Sequence, residues 1–130
     1  MIQKDMTARN VACEAIVGLV DQGSLYSCGH LSLYTSDATR LTWHNLTAGE
    51  GGSAFGVSVD GTSTANTIYD ATTIMDGTAA RFAFENWDGS SIWSGDVTLV
   101  GHGGSLQLES VSLVKDTTVS IASAIYVVPA

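Results

Sequence analysis

Basic residues are scarce: five Lys and Arg stand against 13 Asp and Glu, a formal charge of −8 over 130 residues. Nucleic-acid binding needs clustered Lys and Arg to neutralise phosphates, so no nucleic-acid partner is expected. Proline occurs once, at Pro129, and cysteine twice, at Cys13 and Cys28. Two such thiols make neither a disulfide framework nor a zinc spacing. They are expected to be reduced thiols, buried or half-buried, with a Cys13–Cys28 bridge as the less favoured alternative, and no metal and no cofactor is expected. No run approaches the ~18 apolar residues of a membrane helix. The opening Met-Ile-Gln-Lys-Asp-Met lacks the apolar core of a secretory signal. Synthesis in a cytosol and no membrane partner follow as expectations.

What the chain has in quantity is glycine (14), many Ser and Thr, and 45% apolar residues. That mixture suits one β-rich domain with tight turns and an ordinary core. The stretch from Thr78 to Val100 shows it best. Ala80, Phe82 and Phe84 alternate with Arg81, Ala83 and Glu85, the period of a strand with one buried face. Trp93, Val97 and Leu99 then alternate with Ser94, Asp96 and Thr98. Asp88-Gly89 lies between, a strong hairpin signal because Gly accepts positive φ, and Ser90-Ser91 lengthens the loop. This is predicted to be the central hairpin.

One helix is predicted, over Thr7 to Val20 (about 7–21 with its ends). Val11, Ala12, Ala15, Ile16, Leu19 and Val20 form its apolar face. Asp5 or Thr7 is the expected cap, Gly23 the left-handed stop, and Gly18 a point of close packing. From Leu25 the period changes to two. Leu31 and Leu33, Leu41 and Trp43, and Phe55, Val57 and Val59 mark strands, with turn material at 35–39, 48–53 and 101–104. Asp60-Gly61 turns the chain into a Thr-rich strand over 62–69, and Asp76-Gly77 introduces the central hairpin. Leu106, Leu108, Val111 and Leu113 follow. The last run, Val119 to Val128, is apolar at both parities. It is expected to be buried on two sides, or on one side plus a subunit contact. Roughly eight to ten short strands at regular spacing mark a sandwich or barrel.

Residues capable of chemistry are present but dispersed. His30, His44 and His102 form no zinc pair and adjoin no nucleophile motif, so surface or strand-edge positions are expected. Asp60, Asp76 and Asp88 each precede Gly without the oxygen-ligand spacing of a calcium loop. Glu85, Asp88 and Asp96 cluster around one hairpin, as a glycosidase pair might be sought. Their turn and polar-parity positions predict solvated carboxylates instead. Asn45-Leu46-Thr47 matches a glycosylation sequon, but without a secretory signal the match is expected to be chance. Trp43 and Trp93 fall at core parity, leaving Trp87 exposed. No catalytic, cofactor-binding or metal residue is assigned, and no enzyme activity is expected.

Several segments together carry a resemblance. They are Leu19-Val20-Asp21-Gln22-Gly23-Ser24-Leu25, Ser53-Ala54-Phe55-Gly56, Ala79-Ala80-Arg81-Phe82, Trp93-Ser94-Gly95-Asp96-Val97, and the closing Leu106-Gln107-Leu108-Glu109-Ser110-Val111-Ser112-Leu113-Val114. The chain resembles a widespread group of small structural proteins encoded in tailed-bacteriophage morphogenesis regions. Related sequences read "leu-x-leu-asn-ser-thr-ser-ile-val" in the closing segment, so Glu109 departs from the usual residue. The resemblance implies a virion protein made in the host bacterial cytoplasm. It implies a capsid decoration (cement) protein bound to the outer shell, with the major capsid protein as partner and a homotrimer at local three-fold positions. A tail or head–tail structural role is the alternative, as is a carbohydrate-binding module on the particle surface using Trp87, Tyr69 or Tyr34. The expected fold is a single domain over 1–130. It is a mainly β, antiparallel, jelly-roll-like β-sandwich over about 24–129, preceded by the helix.

Overall fold

The computed structural model describes residues 6–26, 28–46, 53–101, 106–121 and 124–127. The protein is mainly β with one N-terminal helix. Helix α1 runs Met6–Gly18 and tightens into a 3-10 turn over Leu19–Asp21. Eleven strands follow among the described residues. The central ones are β1 (His30–Tyr34), β2 (Arg40–Asn45), β6 (Arg81–Glu85), β7 (Ser91–Leu99) and β8 (Leu106–Leu108). They form one curled sheet in the order β2-β1-β6-β7-β8. Three short antiparallel ladders accompany it. They join β3 (Thr62–Thr64) to β11 (Ile125–Val127), β4 (Ala71–Thr72) to β10 (Thr118–Val119), and β5 (Gly77–Thr78) to β9 (Ser112–Leu113).

The predicted hairpin is the middle of the sheet. Phe82 faces Gly95 and Phe84 faces Trp93 across β6 and β7. Asn86 closes the loop by accepting the Asp88 and Ser90 amides on Oδ1, and Gly89 takes φ +81°. On the core side Leu31 and Leu33 of β1 lie opposite Phe84 and Phe82. The Phe84 ring stacks on Trp93 at 4.6 Å and meets Phe55 edge-on at 5.2 Å. Burying aromatic and aliphatic side chains of this size contributes about 1.5–3 kcal/mol each. This cluster is therefore the main source of cohesion.

Several expectations are corrected. The ladder from β7 to β8 is parallel, pairing Val97 with Leu106 and Leu99 with Leu108, so the sheet is not wholly antiparallel. The helix is rotated from its predicted face: Cys13, Val17 and Val20 are buried, whereas Val11, Ala15 and Leu19 are exposed. Thr7 lies within the helix rather than at its cap, and Asp5 lies outside the described residues. A Cβ on Gly18 would touch nothing within 4 Å, so Gly18 is no packing point. Gly23 (φ +129°) does not stop the helix, since extended Gln22 already follows the 3-10 turn. Its lack of a side chain serves a close approach instead: a Cβ there would sit 2.8 Å from the Trp87 Cβ.

Two register slips explain the other misplacements. Tyr34 pairs with Arg40 but Leu33 with Thr42, which leaves Leu41 as the extra residue of a bulge. Leu41 is buried against Gly77, while Trp43 lies opposite Ser32 on the side away from the core. Likewise Val59 pairs with Thr62 and Phe55 with Ala65, so one strand has a residue more than the other. Phe55 and Ser58 are therefore buried and Val57 and Val59 exposed. Asp60 (φ +53°) and Gly61 (φ +72°) make the predicted tight turn between them. Only Thr62–Thr64 of the Thr-rich stretch is strand.

Candidate interaction surface

The slip in the 55–65 hairpin has a consequence at the surface. Ile125 lies opposite Thr64, Val127 opposite Thr62, and Thr62 opposite Val59. Directly opposed residues of an antiparallel ladder share a face. Val59, Thr62, Thr64, Ile125 and Val127 therefore point one way, and Ser63, Ala65, Ala124 and Tyr126 point back to the interior. Val59 is 65% exposed, Ile125 50% and Val127 51%, and Val57, two residues before Val59, is 79% exposed. No ionisable group stands at these positions in a chain of net charge −8.

Helix α1 belongs to the same module. It packs against β3 and β11, with Cys13 Sγ 3.9 Å from the Tyr126 carbonyl oxygen. Asn10 Oδ1 accepts the Gly61 amide at 2.7 Å, and Asp21 accepts the Ala54 amide. Burial raises the Asp21 pKa, with that hydrogen bond opposing the rise. The helix is thus pinned by its two ends along the hairpin, and its stripe of Val11, Ala15 and Leu19 remains uncovered. Smaller exposed apolar groups lie elsewhere, at Ile74 and Met75 and at Leu99 and Val100.

The C-terminal run is half corrected by this arrangement. Val119 and Ile121 are buried, whereas Ile125 and Val127 of the same parity are exposed. One continuous strand buried on two sides is not formed, and β10 and β11 join different ladders. Val128 and Pro129 lie outside the described residues.

The candidate chemical residues are placed differently from expectation. His30 and His44 are buried, not at the surface. His44 lies opposite Leu31 on the core side, and its Nδ1 is 2.9 Å from the Tyr69 carbonyl oxygen. A carbonyl only accepts, so Nδ1 carries the proton in the neutral ring. Burial lowers the pKa of both rings, against the raising influence of the Tyr69 carbonyl at His44 and of Glu85 at His30. The His30 ring stacks on Trp43 at 3.8 Å, with Tyr26 edge-on to both. His102 and the Gly103-Gly104 turn lie outside the described residues.

Glu85 is 3% exposed rather than solvated. Its carboxylate accepts Ser32 Oγ at 2.8 Å and Tyr34 OH at 2.6 Å, and Arg40 Nη2 stands 3.4 Å away. Desolvation and the bond to Glu85 raise the Tyr34 pKa. For Arg40, desolvation lowers the pKa but is outweighed by Tyr34 and Glu85. These bonds give the Glu85 carboxylate its partners, which is the condition for burying a charge.

Asp96 and Asp88 stay exposed, as predicted. Asp96 pairs with Arg81 at 3.6 Å. Asp88 also ties down the post-helix loop: Oδ1 accepts the Ser24 and Leu25 amides, which hold its carboxyl below the usual range. Asp76 similarly accepts the Lys115 amide. Cys13 and Cys28 are free and buried, and burial pushes the Cys28 thiol up. Among the described residues no three His, Cys, Asp or Glu gather to hold a metal ion, and no ring contact joins Trp87, Tyr69 or Tyr34 to one another.

Comparison of the chain with protein-family models, with curated proteins and with solved structures found no match.

Proposed function

We propose that the chain is a structural virion protein of a tailed bacteriophage, most specifically a capsid decoration (cement) protein. In this reading it has no enzymatic role and acts through protein–protein contacts. It binds the outside of the shell, with the major capsid protein as partner, and associates with itself as a trimer. The observation that carries the reading is the outward row of Val59, Ile125 and Val127, with Val57 near it, each at least half exposed and none ionisable. Exposed aliphatic groups gathered across one ladder favour a covering partner. Closed symmetric assembly is the common way to provide one.

A decoration protein bridges neighbouring shell subunits, so that opening the shell must break additional buried interface. The gain per copy is allowed to be small because the lattice repeats it. If basic shell residues receive the acidic surface, attachment weakens with salt. The jelly-roll-like sandwich belongs to the same proposal, with the curled sheet as one layer and the short ladders as parts of the second.

Mass spectrometry of purified particles, with quantification against the major capsid protein, tests this reading. A copy number in fixed proportion to the shell subunit is expected. Absence of the chain from washed particles would overturn it.

A further inference from the structure

A second group of exposed apolar side chains stands at the other end of β2, on two adjoining loops over 73–77 and 113–117. The loops are tied along their length. Gly77 pairs with Leu113, the Thr73 amide donates to the Thr117 carbonyl at 2.8 Å, and the Asp116 amide donates to the Thr73 carbonyl at 2.8 Å. Asp76 Oδ1 accepts the Lys115 amide at 2.8 Å. The Ile74 amide donates to the Leu41 carbonyl, at the start of β2. Leu46, just past the end of β2, bridges instead to Ile68, on the chain leaving the hairpin that carries Val59. These loops and the valine face thus belong to opposite ends of that strand.

Ile74 is 55% exposed, Met75 42% and Val114 56%. Three large apolar side chains on two joined loops exceed the scattered single residues of an ordinary surface. Their surroundings are fixed in advance. Asp116 turns the second loop at φ +69°, a conformation that Asp tolerates. Gly77 makes room for the turn over 35–39, since a Cβ there would lie 3.1 Å from Thr35 Cγ2. In that turn Asp37 Oδ1 accepts the hydroxyls of Thr35 and Thr39. Asp37, Asp76 and Asp116 are all exposed, and Lys115 is the one base within the three loops. Interfaces set an apolar centre inside a polar rim whose charges complement the partner's. Loops already held in place lose little freedom on binding. A second copy meeting this end with its own would set carboxylate against carboxylate, so the occupant is a different protein with a basic rim.

We propose that this end, with Ile74, Met75 and Val114 at its centre, is the surface that meets the shell protein, through shell apolar side chains ringed by Lys or Arg. The assignment rests on the virion reading above and adds which end faces the shell. The valine face joins the copies to one another, and the Met75 end joins them to the shell.

Met75 is its own probe, because peroxide converts an exposed methionine to the sulfoxide. Washed particles and the free chain are treated with hydrogen peroxide, and Met75 sulfoxide is quantified by mass spectrometry. Met75 is expected to react several-fold more slowly on the particle than in the free chain. In solution the Val59→Asp, Ile125→Asp variant should react as fast as the native chain, since self-association uses the other face. The pair Asp76→Asn and Asp116→Asn keeps an acceptor for the Lys115 amide and a residue suited to positive φ. Particles carrying that pair should release the chain at lower salt than native particles do. Absence of the chain from washed particles would overturn the virion reading and this assignment together. A chain that is present, with Met75 as reactive as in solution, would overturn this assignment alone. Faster oxidation of the Val59→Asp, Ile125→Asp variant than of the native free chain, or release unmoved by the paired Asn substitutions, would also overturn it.

Discussion

Ser32 Oγ donates to Glu85 Oε1 at 2.8 Å, joining two residues 53 positions apart. The bond fixes the orientation of a carboxylate buried between β1 and β6, beside Tyr34 and Arg40.

Replacing that carboxylate leaves three polar groups without their acceptor. Glu85→Ala should destabilise the fold by about 2–4 kcal/mol in urea unfolding, reduced from the full buried-pair range because Arg40 is partly solvated. Glu85→Gln keeps one acceptor oxygen and should lose less. A loss below about 0.5 kcal/mol for the alanine variant would show that the network contributes nothing to stability.

Phe82 lies in the central cluster at 5% exposure, in edge contact with Phe84 at 5.8 Å. Phe82→Ala should remove about 3–5 kcal/mol. A loss under about 1 kcal/mol would place this side chain outside the effective core.

The two buried histidines set the acid limb of the stability curve. Their folded pKa values lie below the ordinary 6.5, with burial as the main cause. The unfolded chain therefore takes up protons first. Stability is fully present above about pH 6.5 and is lost as pH falls from there toward the folded values. Urea midpoints between pH 7.5 and 5 should decline. His44→Asn, which can still donate to the Tyr69 carbonyl, should flatten the decline. An unchanged slope in that variant would remove His44 from the account.

Both thiols are free and buried. Alkylation without reductant should modify neither Cys13 nor Cys28 in the folded protein and both in denaturant. Mass data showing thiols released only by reduction would contradict the structure.

The hairpin around Asp88-Gly89 and the turn at Asp60-Gly61 were legible because their signals are local: alternation on each side of a residue pair suited to positive φ. The features that escaped are non-local or depend on a count of one. A single extra residue at Leu41 reverses the face of Trp43, and another between Phe55 and Val59 turns the valines outward. The burial of Glu85 depends on Ser32, Tyr34 and Arg40, whose proximity exists only once β1, β2 and β6 have paired. The helix face is legible only when Cys13 counts as an apolar anchor, since free cysteine behaves as a small hydrophobe. Of the interaction surface, only its ingredients could be read, as a surplus of apolar residues in the last run.

Charge placed on the valine face should abolish self-association without unfolding the chain. Val59→Asp combined with Ile125→Asp replaces two exposed groups, so the melting temperature should change little. Sedimentation equilibrium should report a trimer for the native chain and a monomer for the variant. A native monomer, or a variant that remains trimeric, would move the contact elsewhere.

The most direct measurement is a reconstruction of the intact particle to which the proposal assigns this chain. The account predicts density for the chain on the outer shell at local three-fold positions, with three copies meeting through Val57, Val59, Ile125 and Val127. A shell that lacks the chain, or a chain bound there with this face open to solvent, would contradict it.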